Sequence, residues 1–191
     1  MLNKNQINSR EHIKKIDQNV LDKQLFIIHD FLIHYASYKG LRENFDSLKQ
    51  DGSKAFWVYT INAHYYQAIN LWSMVFGSDK EETHWKRLGI EPDFTSFMLP
   101  KLGIEKEEYD SYWKSIIDWR NNYSAHKNPH RSTLPPTPSL KLAREVALLF
   151  PDWINQNSFI HVIIDFKYEN YEEEFIQNDL GVALKNIISK E

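Results

Sequence analysis

Arg120 and His126 are the two residues of this sequence whose types and spacing best suit work on an anion. They lie in the segment Trp119-Arg120-Asn121-Asn122-Tyr123-Ser124-Ala125-His126-Lys127-Asn128-Pro129-His130-Arg131. On a helical wheel Arg120 falls between Trp113 and Ile116, inside an arc that is otherwise apolar and aromatic. A charge there needs an anionic partner, because an unpaired buried charge costs several kcal/mol. Two partners fit: a carboxylate from another helix, or a ligand. His126 follows six residues later, about 120° round and about 9 Å along an ideal helix. Across that gap a long Arg and a His still converge on one phosphate group. The C-terminal end of a helix favours a protonated imidazole, so His126 suits proton transfer near neutral pH. A half-buried capping histidine is the alternative.

Charge patterning bears on the same stretch. From Arg120 to Arg144 there is no Asp or Glu, while Arg120, Lys127, Arg131, Lys141 and Arg144 are basic, in a chain of formal charge −3. Cations gathered around one site point to a phosphate-bearing ligand such as RNA or a nucleotide. The acidic residues Asp165, Glu169, Glu172, Glu173 and Glu174 of the tail offer an internal partner instead.

Other chemistries find little footing. His126 and His130 are spaced i, i+4, but Pro129 interrupts the helix between them and no third ligand is evident, so neither a metal nor any other cofactor is expected. Ser124 has no nucleophile-elbow context. Thr83-His84-Trp85-Lys86-Arg87 is a basic-aromatic cluster that suits either RNA bases by stacking or an amphipathic turn with a buried Trp. With 6 glycines and no glycine-rich run, no phosphate loop or dinucleotide fingerprint is present. The absence of cysteine excludes disulfide scaffolds, thiol nucleophiles and cysteine-bound zinc.

The elements that must position these residues read as helices. Val20 to Tyr35 carries apolar residues at helical spacing, with Gly40 as a stop. Ser53 is placed to cap a second helix that runs to about Gly77. Its apolar arc includes Trp57, Ile61, Tyr65, Ala68, Trp72 and Phe76. An adjacent arc of Tyr59, Asn62, Tyr66, Asn70 and Ser73 is polar but uncharged, which suits either ordinary helix contacts or a subunit contact. Residues 78–104 read as short helices with turns. A third long helix from near Glu105 ends before Pro129, 131–139 is a proline-rich loop, and Leu140–Ile154 is a fourth helix. Residues 159–166 (FIHVIIDF) have strand character, and a short terminal helix follows an Asn178 or Asp179 cap. The expected fold class is all-α: an antiparallel bundle of four to five main helices over 1–155. A small appendage over 156–191, containing one strand-like segment, packs on the same domain.

The 191 residues, 42% hydrophobic and 14% aromatic, suffice for one well-anchored core. The first fifteen residues lack an apolar signal region. Ala55–Phe76 runs 22 residues without Asp, Glu, Lys or Arg. However, Asn62, His64, Gln67 and Asn70 would lie near mid-bilayer, so a buried helix in a soluble protein is the better reading. No membrane association is expected, and the location is read as cytoplasmic.

The Arg120 segment resembles the signature of the HEPN superfamily of nucleotide-binding helical domains. In that signature an Arg is followed by a polar residue and, four to six positions on, by a His, here Arg120, Asn121 and His126. The resemblance covers residues 20–155. It implies a metal-independent endoribonuclease of toxin–antitoxin or abortive-infection systems, acting as a homodimer whose paired motifs face one cleft, with a cognate antitoxin as partner. By the same resemblance Arg120 and His126 are the catalytic residues, and Asn121 orients the pair or binds the phosphate. Lys127 and Arg131 would add substrate contacts. Members without nuclease activity exist, so a non-catalytic nucleotide-, RNA- or partner-binding helical dimer is the alternative.

Overall fold

A computed structural model describes residues 16–50, 53–124, 136–157 and 168–189. Helix α1 spans Gln18–Glu43, a four-residue α2 spans Phe45–Leu48, and α3 spans Lys54–Phe76. A 3₁₀ turn at Trp85–Leu88 precedes α4 (Phe94–Leu102) and α5 (Lys106–Trp119), and α5 continues into a π turn over Arg120–Ser124. After α6 (Lys141–Asn157), α7 (Tyr168–Glu174) and α8 (Gly181–Ile188) are joined by a second π turn, Phe175–Leu180. The fold is all-α, as the helical periodicities lead one to expect. No strand occurs among the described residues, and the strand-like 159–166 lies outside them.

Side-chain pairing sets the directions. His34 on α1 meets His64 on α3, while Gln24, earlier on α1, donates to the carbonyls of Thr83 and His84, beyond the end of α3. The two helices are therefore antiparallel. Going up α5, Tyr112 packs on Trp72 and Trp119 on Tyr65, again antiparallel. Helix α6 returns alongside α3. Four indole or phenol groups tie these helices at their ends: Trp72 donates to Ala143 O, Trp113 to Phe76 O, Trp153 to Pro92 O and Tyr65 to Pro138 O. Each buries a large ring while satisfying its polar atom. Phe76, Phe94, Phe150 and Trp153 stack edge-on or tilted at the centre. Helix α3 buries one face, including Ile61, Tyr65, Ala68, Trp72 and Phe76, and leaves Phe56 and Tyr59 of its N-terminal half exposed rather than being buried throughout. No described helix is long and apolar enough to cross a membrane.

Three local expectations are corrected. Gly40 does not stop α1, which continues to Glu43. Its role is close approach, since a Cβ there would stand 2.6 Å from Leu180 Cδ2. Ser53 makes no capping hydrogen bond. The terminal helix does not start at Asn178 or Asp179, because both lie inside the π turn that continues α7 into α8. By contrast, Asp17 does cap α1, accepting from the amides of Asn19 and Val20.

Candidate functional site

The π turn at the end of α5 carries Arg120 and Asn121 to the wall of an open cleft of about 1000 Å³. Its other walls are the 77–96 segment and the α5 face bearing Tyr109, Trp113 and Ile117. Arg120 thus shares the face of Trp113, as its wheel position indicates. His126, Lys127, Arg131 and His130 lie outside the described residues.

The Arg120 side chain is three-quarters buried, with 24% exposed. Its Nε is wholly shielded and has no hydrogen-bond partner among the described residues. The nearest carboxylate among the described residues is Glu81, whose Oε1 lies 3.8 Å from Nη2, an ion-pair separation beyond hydrogen-bond reach. Leaving a buried N–H unpaired costs about 1–3 kcal/mol, more for a charged group. Arg120 is therefore held near a carboxylate but not saturated by it.

Glu81 is placed by a staple that the sequence does not advertise. Arg87 donates through Nε to Glu81 O at 3.1 Å, and through Nη2 to Asp79 O at 3.0 Å and Lys80 O at 3.2 Å. Three carbonyls of the 79–81 loop are thereby fixed by one planar fork. Nothing in residue type marks this arrangement, since Arg87 reads only as one more cation in a basic cluster.

That cluster resolves as a turn with a buried Trp. Trp85 packs edge-on against Trp153 and tilted against Phe94. His84 caps the turn by accepting from Lys86 N at 3.2 Å. Burial pushes the His84 pKa down to about 4, so this imidazole is neutral. On α1 and α3, His34 and His64 bring their Nδ1 atoms within 2.9 Å, and burial lowers both pKa values. One must donate and the other accept. Among the described residues no three potential ligands gather around a metal position.

The electrostatics of the cleft are mixed. Asp79, Glu91, Asp93 and Asp110 line it alongside Lys86, Lys106 and Arg120. The Lys106 ammonium bonds to Asp110, and Lys86 lies 3.9 Å from Asp79. Of the other cations in the acid-free stretch, Arg144 is taken by the acidic tail. Its Nε donates to both oxygens of the buried Glu172, at 2.9 and 2.8 Å. The internal pairing that composition left open is therefore present for Arg144, whereas Lys141 lines a separate cleft. No family model, curated protein or solved structure matches the chain.

Proposed function

We propose that the chain is a HEPN-like, metal-independent endoribonuclease in which Arg120 and His126 act on the RNA phosphodiester. The observation that carries this reading is the state of Arg120: a guanidinium on a cleft wall, with no partner for its Nε and with its nearest carboxylate 3.8 Å away among the described residues. A phosphate oxygen is a stronger partner than that carboxylate, and the guanidinium fork matches phosphate geometry. In this reading Arg120 stabilises the charge that develops on the phosphoryl oxygens. His126 takes the proton of the ribose 2′-hydroxyl or delivers one to the departing 5′-oxygen, leaving a cyclic phosphate and a 5′-hydroxyl. Asn121, exposed on the same turn, orients the pair, and Lys127 and Arg131 add phosphate contacts.

A homodimer and a cytoplasmic toxin or phage-defence role, with a cognate antitoxin, belong to the same proposal. Support for the dimer comes from α3. Its exposed face carries Tyr59 at 76% and Phe56 at 61% exposure, with Tyr66 and Val58 nearby, in a run without charge. Depletion of charge with exposed aromatics is the composition of interface cores.

The test is incubation of the purified protein with RNA in EDTA. Cleavage that persists, and that falls at least 100-fold in both Arg120→Ala and His126→Ala, is the expected result. Cleavage unchanged from wild type in both variants removes the catalytic assignment. The mixed charge of the cleft favours one second reading, a non-catalytic binder of nucleotide, RNA or a partner protein. Salt-sensitive RNA binding without any product would select it.

A further inference from the structure

A second cleft, of about 490 Å³, lies between the C-terminal half of α1 and the start of α6. Its size falls within the ~300–1000 Å³ of small-ligand sites. Among the described residues Lys39, Arg42 and Lys141 line it against one carboxylate, that of Glu43. Among the described residues only Lys39 approaches that carboxylate, at 3.9 Å and exposed to solvent. Arg42 and Lys141 form no ion pair among the described residues.

Arg42 is held in place. It donates to the Tyr38 hydroxyl and its guanidinium stands 5.8 Å from the centre of the Tyr38 ring. The opposite wall is equally fixed. Tyr65 donates to Pro138 O and Tyr112 to Ser139 O, both at 2.7 Å, and Ala143 N donates to the Tyr112 hydroxyl at 3.0 Å. These bonds pin the chain as it enters α6, a helix of 17 residues, with the positive end of its dipole at the cleft. Tyr35, Thr137 and Ser139 also line it, and the Ser139 hydroxyl accepts from Lys141 N at 3.3 Å.

We propose that this cleft is a second binding site, for the phosphoryl group of a nucleotide or RNA strand. Three cations facing one carboxylate select an anion. A planar guanidinium beside two ammonium groups fits the tetrahedral, multiply charged phosphoryl group better than a lone carboxylate ligand. The cleft volume leaves room for the attached sugar. The proposal does not depend on Arg120 or on cleavage.

The experiment is calorimetric titration of the full-length protein with 5′-AMP, adenosine and inorganic phosphate at low salt. The expected results are binding of AMP and phosphate, at least tenfold weaker binding of adenosine, and steep weakening with added salt. The triple variant Lys39→Gln/Arg42→Gln/Lys141→Gln should lose at least tenfold in AMP affinity. All three side chains are exposed, and an unchanged melting temperature verifies the fold. A charge-matched control, Lys101→Gln/Lys114→Gln/Lys185→Gln, should retain AMP affinity. Equal affinity in the two triple variants, or adenosine binding as well as AMP, overturns the proposal. Short RNAs with and without a 5′-phosphate separate the sources. Equal binding of both assigns the site to an internal phosphodiester, and preference for the phosphorylated end assigns it to a terminal phosphate or free nucleotide.

Discussion

Arg120 sits in a balance between a carboxylate too far away to bond and a cleft open to ligands. Glu81 keeps its position because Arg87 holds the loop backbone, not because Arg120 attracts it. An ion pair of this length with partly exposed groups is worth at most about 1 kcal/mol. Glu81→Gln should therefore alter unfolding free energy by less than about 1 kcal/mol. The same change removes the competitor for the guanidinium and should tighten inorganic phosphate at Arg120 about fivefold. The readout is the NMR signal of the Arg120 Nε–H during phosphate titration, which reports this cleft and not the one at Arg42. An unchanged titration would mean that Glu81 does not compete. Arg87→Met should act in the same direction while costing more stability, since three carbonyls lose their donor. At this scale the sequence marks Arg120 as a charge out of place on an aromatic arc. Glu81 and Arg87 leave no such mark, because a surface acid and a surface base look alike whether or not a fold brings them into service.

The helices separate what periodicity reveals from what only packing decides. The α3 limits follow from an uninterrupted apolar arc ended by Gly77, and α6 follows from the spacing of Leu142, Val146, Leu149 and Phe150. Gly40 misleads because a glycine that ends a helix and a glycine that admits a neighbour look the same in sequence. The π turn at Arg120 is likewise silent in the pattern. Its wider i→i+5 bonding over Arg120–Ser124 departs from the 100° per residue on which a helical wheel is drawn, and His126 lies outside the described residues. The close approach at Gly40 predicts a specific coupling. Gly40→Val should destabilise the protein by about 1–3 kcal/mol through overpacking against Leu180. Leu180→Ala should cost less in the Gly40→Val background than in the wild type, because the small residue relieves the clash. Urea unfolding of the four proteins measures the cycle. Additive effects would show that α1 and the C-terminal helix do not press on each other there.

Across the whole molecule, one buried and two half-buried histidines link the bundle to pH. His84, His34 and His64 all titrate below the ordinary value of 6.5, because burial disfavours the imidazolium. The unfolded chain then binds more protons than the folded one between the folded and unfolded pKa values. Stability contributed by neutral histidine is complete above about pH 7 and declines as pH falls through 6.5. For His84 the decline continues to about pH 4, and the separation between 6.5 and about 4 corresponds to about 3 kcal/mol. His34 and His64 add to it in the same direction, since their 2.9 Å contact requires at least one neutral ring. His84→Asn keeps a side-chain acceptor for Lys86 N but cannot titrate. This variant should be less stable than wild type at pH 7, where the smaller side chain leaves a packing defect. The difference should narrow by about 3 kcal/mol as the pH is lowered to 4, because only the wild type takes up the proton on unfolding. Chemical denaturation of both proteins from pH 4 to 8 measures this, and comparing the two cancels the carboxylates they share. Parallel curves would mean that His84 ionises as readily in the folded chain as in the unfolded one. Its place between the 3₁₀ turn and the end of α3 would then have to open to water on the timescale of the equilibrium.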